Sequence, residues 1–119
     1  MSAAVDSILA EDYVDHSIPG LLGDGNREDL KAAVLQVRAA FPGIQPELYE
    51  ILAEGDLVSV RVEAGGKHTG APFNGIPAAG RAIRWKEIHI FRCRNGKIVE
   101  HWGVFDLLSI LQQLGAIPA

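Results

Sequence analysis

The chain has 119 residues, a formal net charge of −4 and 48% hydrophobic residues, which fits one domain over 1–119 with room for a modest cavity. An acidic balance without clustered Lys and Arg argues against a nucleic-acid partner, since phosphate binding needs such clusters. The lone cysteine, Cys93, allows no internal disulfide and makes a reducing, cytoplasmic setting the expectation. No apolar run approaches a membrane span, and the opening MSAAVDSILAED carries three acidic and no basic residues, unlike a secretory leader.

Residues 2–12 read as a short helix with Val5, Ile8 and Leu9 on one face; Tyr13 to His16 follow, and Pro19-Gly20 closes the segment. After a polar GDGN loop comes the clearest helix. Asn26 is its expected cap, Glu28 and Asp29 suit the positive end of the dipole, and Leu30, Val34, Val37 and Phe41 form its apolar stripe. Pro42-Gly43 stops it. From Gln45 the pattern changes to strands, at 48–53 and 57–64, where Val58, Val60 and Val62 alternate with Ser59, Arg61 and Glu63. The Gly- and Pro-rich stretch 65–80 is expected to be a long loop at the sheet edge.

The stretch 81–106 reads as two long antiparallel strands joined at Asn95-Gly96, a pair suited to a type I′ turn. A helix over 107–114 follows, with Gly115 just past its end. Helices, then four strands in a meander, then a helix give an α+β order with an antiparallel sheet. The hairpin carries Trp85, Glu87, His89, His101, Trp102 and Asp106, a heavy load of titratable and aromatic groups for strands expected to be mostly buried. Strand alternation puts Trp85, Glu87, His89 and Phe91 on one side, with Ile88 and Ile90 on the other. It gives His101 the opposite parity from Trp102 and Asp106, so His101 is expected to face away unless a bulge at Gly103 resets the pattern.

His68-Thr69-Gly70, Phe73-Asn74-Gly75-Ile76-Pro77, Gly80-Arg81, Phe91-Arg92, the run Asn95 to Trp102 and Asp106 together resemble the SnoaL-like polyketide cyclases of the nuclear transport factor 2-like superfamily. Tyr13 to His16 resembles that family's short histidine-bearing segment after the first helix. The resemblance implies a curved antiparallel sheet wrapped by helices into a cone with an internal pocket, a homodimer, and aldol ring closure without cofactor or metal. It matches Asp106 to the family's aspartate acid/base and Glu87 and His89 to polar residues facing the ligand. It also places His16 and His68 near the cone mouth.

Each residue has a plainer reading as well. Asp106 stands where strand becomes helix and suits an N-cap. Glu87 and His89 suit a structural ion pair, and Tyr13 suits the core. The functional expectation makes Asp106, His89 and His16 the acid/base groups, with Glu87, Trp85, Trp102, His68, Phe73, Phe91 and Tyr13 around a small hydrophobic carbonyl substrate. A binding domain without catalysis and an epoxide hydrolase are the alternatives. The second needs an Asp–Arg–Asp set, and Arg84 and Arg92 lie on the face opposite His89. With no His-x-His, His-Glu-x-x-His or cysteine pair, a metal site is not expected.

Overall fold

The computed structural model describes residues 2–18 and 22–118. Within them the order is α1 (Ser2–Ile8), β1 (Leu9–Asp15), α2 (Arg27–Ala40), β2 (Gln45–Glu54), β3 (Leu57–Lys67), β4 (Ala82–Arg94), β5 (Lys97–Phe105) and α3 (Leu107–Gln113). The strands form one curved sheet ordered β1-β5-β4-β3-β2, giving the α+β architecture expected. No helix among the described residues is long and apolar enough to cross a membrane.

The expected four-strand meander is present as β2 to β5, all antiparallel. The sheet gains a fifth strand that the sequence reading missed. The expected helix over 2–12 stops at Ile8, and Leu9 to Asp15 pairs in parallel with β5. Spacing of Val5, Ile8 and Leu9 fits a helix locally, but long-range pairing with β5 decides the conformation from Leu9 onward. The expected stop at Pro19-Gly20 lies outside the described residues.

The other elements form for reasons visible in the chain. Asn26 caps α2 in a reciprocal box, its side chain accepting from Asp29 N–H at 3.0 Å while the Asp29 carboxylate accepts from Asn26 N–H at 2.8 Å. Asn95 and Gly96 both take positive φ, 53° and 76°, as a type I′ turn requires. Residues 68–81 connect the neighbouring strands β3 and β4, so the loop lies at the end of the sheet and not along an edge. It is fastened to α2, with Gly70 N–H donating to Ala40 O and Ala71 N–H to Ala39 O.

The dry core lies at that end of the sheet. Phe41, Ala64, Ile83, Trp85, Ile110 and Leu114 pack together there, with Phe73 and Ile76 of the loop against them. The opposite end, beneath β1 and the start of α2, is less completely filled.

Candidate active site

Strand register puts one set of side chains on the inner face. Val60 on β3, His89 on β4 and Gly103 on β5 are successive cross-strand neighbours; so are Val62, Glu87 and Phe105. Phe91 pairs with His101, and His101 with Asp15 of β1. Leu9, Tyr13, Leu30, Leu48, Val60, Val62, His89, Phe91 and His101 line a cavity of about 430 Å³ whose walls are almost wholly apolar. That is within the size range of small-molecule pockets.

An unbroken chain of polar contacts runs along the wall of this cavity. Tyr13 Oη donates to Asp15 Oδ2 at 2.5 Å, and the same oxygen lies 2.9 Å from His101 Nδ1. His101 Nε2 is 2.8 Å from His89 Nδ1, and His89 Nε2 is 2.7 Å from Glu87 Oε1. The Trp85 indole N–H then donates to Glu87 Oε2 at 2.6 Å. Ser17 closes the other end, donating to Asp15 Oδ1 from both its backbone N–H and its hydroxyl. Asp15 has 0% exposure and His101 7%. Buried charge is tolerated only where it is paired and hydrogen-bonded, as here.

The electrostatics follow from these contacts. Burial alone would raise the Asp15 carboxyl, but hydrogen bonds from His101, Tyr13 and Ser17 outweigh it and hold the group far below the ordinary range. Burial likewise opposes ionisation of Glu87, yet His89 and Trp85 draw it below its usual value. Burial, then the Asp15 anion, push the Tyr13 phenol well above its ordinary value and keep it protonated. The site therefore presents two carboxylates held ionised at either end of a histidine pair. Among the described residues no three His, Cys, Asp or Glu gather as a metal site.

The family model of SnoaL-like polyketide cyclases matches residues 1–114. The chain belongs to that family. Two relatives are aklanonic acid methyl ester cyclases, DnrD of Streptomyces peucetius and DauD of Streptomyces sp. (strain C5), each 36% identical over 90 residues. The match covers 74% of this chain but only 61% and 55% of those two proteins. Among solved structures, AclR from Streptomyces galilaeus superposes with a TM-score of 0.87 at 28% identity, covering 98% of this chain and 72% of that one. IdmH from Streptomyces antibioticus gives 0.83 at 30% identity, covering 95% and 86%.

Against that family frame, the expected site residues fall into two groups. His89, Phe91 and Tyr13 line the cavity, with Glu87 and Trp85 adjoining through hydrogen bonds. Trp85 itself is buried in the dry core. The other five lie elsewhere. Asp106 is exposed and caps α3, its Oδ1 accepting from Ser109 N–H at 3.0 Å. Trp102 is on the outer face, stacked on His16 at 5.0 Å between ring centroids. His16 bridges Asp24 and Glu100, each at 2.8 Å, and these contacts raise its pKa, Glu100 most. His68 is buried beside Phe41, its Nε2–H donating to Ala71 O. Phe73 packs edge-on to Phe41 at the far end of the sheet.

His68 and Phe73 belong to the 68–81 loop at the other end of the sheet and His16 follows the end of β1; for Trp102 and Asp106 the physical reason is parity. His101 does oppose Trp102 and Asp106, as alternation requires, but His101 is the inward residue, in register with Phe91. Bulging occurs at Arg92/Cys93, not at Gly103. Asp15, Ser17 and His101 were the functional candidates missed. The available signal was an acidic residue two beyond an apolar Tyr13 in a segment with strand parity.

Proposed function

We propose that this protein is a cofactor-independent acid/base enzyme that closes a ring in a hydrophobic, polyketide-type carbonyl compound. The His89–His101 pair, held between Asp15 and Glu87 on an apolar cavity, is the observation that carries this reading. In an aldol closure the C–H bond alpha to a carbonyl breaks, its electron pair forms the new C–C bond, and the acceptor carbonyl oxygen gains a proton. No atom is lost, so one group able to take a proton and return it suffices. Holding the chain folded against the apolar cavity wall supplies much of the rate, because the reaction is intramolecular. Phe91, Val60, Val62, Leu48 and Leu30 offer the apolar grip. Asp106 has no part in this reading, since it lies outside the cavity with its carboxylate engaged in the cap.

The names of the two relatives suggest aklanonic acid methyl ester as the first substrate to try. Ring closure should yield a product of unchanged mass, and His101→Gln should lower kcat by roughly 10²–10⁴-fold. A variant that binds the compound and turns it over at the wild-type rate would refute the assignment. Saturable binding without turnover in the wild type would favour the ligand-binding alternative.

The reading extends to the whole chain acting as one domain, as a homodimer. Leu52, Ile88, Ile90 and Val104 project from the outer face and are exposed at 69%, 49%, 39% and 69%. That apolar strip suits the same strip of a second copy across a twofold axis. A reducing, cytoplasmic setting accords with the thiol of Cys93.

A further inference from the structure

Three contacts link Asp15, His101, His89 and Glu87, at 2.9, 2.8 and 2.7 Å, and each needs one hydrogen between its two heavy atoms. Two ionised carboxylates bring none, and two neutral imidazoles bring one each. One link would then set two lone pairs against each other at hydrogen-bond distance. A third proton is required. Asp15 cannot hold it, because Oδ1 accepts twice from Ser17 while Oδ2 accepts from Tyr13 and His101. On Glu87, Oε2 already accepts from Trp85, and its carboxyl is drawn toward the ionised form.

We propose that His89 and His101 share that third proton across their Nδ1–Nε2 hydrogen bond, that the four-residue chain therefore acts as one base, and that Gly103 is the positioning residue that makes the pairing possible. The inference rests on the acid/base reading of this pair and specifies its resting state. With one imidazolium between two carboxylates, the chain carries a net charge of −1. Uptake of a proton from the carbon alpha to a carbonyl gives two imidazoliums, each facing its own carboxylate, and a net charge of zero. The His89–His101 link opens at that step, since both bridging nitrogens become donors. Return of the proton to the new alkoxide oxygen restores the link.

Gly103 is in register with His89 on the inner face. A Cβ there would stand 2.5 Å from His89 Nδ1 and 2.9 Å from His101 Nε2, the two atoms of the bridge. Any side chain at this position must displace one or both rings from the bridging geometry. Titratable groups facing the pair are Tyr13 and Asp15 from β1, with Ser17 beyond it, and Glu87 from β4. The cavity-lining residues of β2, β3 and α2 (Leu48, Val60, Val62 and Leu30) are apolar, so nothing from those walls supplies a competing proton.

The test is ¹⁵N NMR of histidine side chains in the full chain without substrate, alongside Gly103→Ala. At neutral pH the wild type should show His101 Nδ1 and His89 Nε2 fully protonated and the bridging nitrogens averaged between protonated and free. Gly103→Ala should replace the averaged signals with those of two independent rings and lower kcat by at least ~10²-fold. Two protons on the pair, or four, would overturn the proposal; so would unchanged bridging signals in Gly103→Ala. Should Gly103→Ala fail to fold, the wild-type spectrum decides alone. Because the spectra need no substrate, a three-proton pair in a protein without turnover would contradict the acid/base reading and leave the shared proton standing.

Discussion

Asp15 and Asp106 show how one residue type is set to different work by its surroundings. Asp15 is sealed under the sheet with four hydrogen bonds directed at its two oxygens, whereas Asp106 stands in solvent at a helix start. Asp106→Ala should remove a cap and cost about 1 kcal/mol of stability, while kcat/KM stays within twofold; a large loss of turnover at full occupancy would return Asp106 to the mechanism. Asp15 and Glu87 govern the acid limb of stability. Both carboxyls lie below their ordinary values when folded, so their contribution is complete above the unfolded values near ~4 and fades as pH falls through the depressed folded values. His16 runs the other way: its raised value makes its contribution complete below ~6.5 and lost as pH rises above that. Urea midpoints from pH 2 to 9 should therefore fall steeply on the acid side in the wild type. The difference between wild type and His16→Gln should shrink as the medium becomes alkaline, and a difference that grows would contradict the sign.

Among the elements, those governed by local chemistry were legible in the sequence. The Asn26 cap, the Asn95-Gly96 turn and the alternating valines of β3 each carry their own structural instruction within a few residues. The two faces of β4 were legible as well, since Ile88 and Ile90 alternate with Glu87 and His89, but alternation left open which face turns inward. Two features were not legible, and both depend on partners far along the chain. β1 is a strand only because β5 lies alongside it, and a parallel pairing leaves no local turn signal. The inward face of β5 is fixed by its register with β4, where alternation alone permits either side. The opposite choice of face places Trp102 and Asp106 at the pocket and His101 outside; pairing of His101 with Phe91 rules it out. The resemblance located the fold; the contact of His89 with His101 emerged only from the structure.

For the whole molecule, a sheet closed on one face by α2, α3 and the 68–81 loop leaves its other face to be covered. Ile88 and Val104 are cross-strand partners on that outer face, as are Ile90 and Trp102, and the ion pair of Arg61 with Glu50 borders them. Ile88→Lys puts a charge into the middle of the strip, so sedimentation should shift from dimer to monomer with the cavity intact. A wild-type monomer at high protein concentration would remove the dimer from the account. Proton transfer by the His89–His101 pair is tested most directly by exchange of the substrate's alpha hydrogen in deuterated water. Proton NMR should show the wild type washing deuterium into the alpha position well above the buffer rate, with His101→Gln slower by ~10²-fold or more. Equal exchange in the two proteins, at matched occupancy, would contradict it.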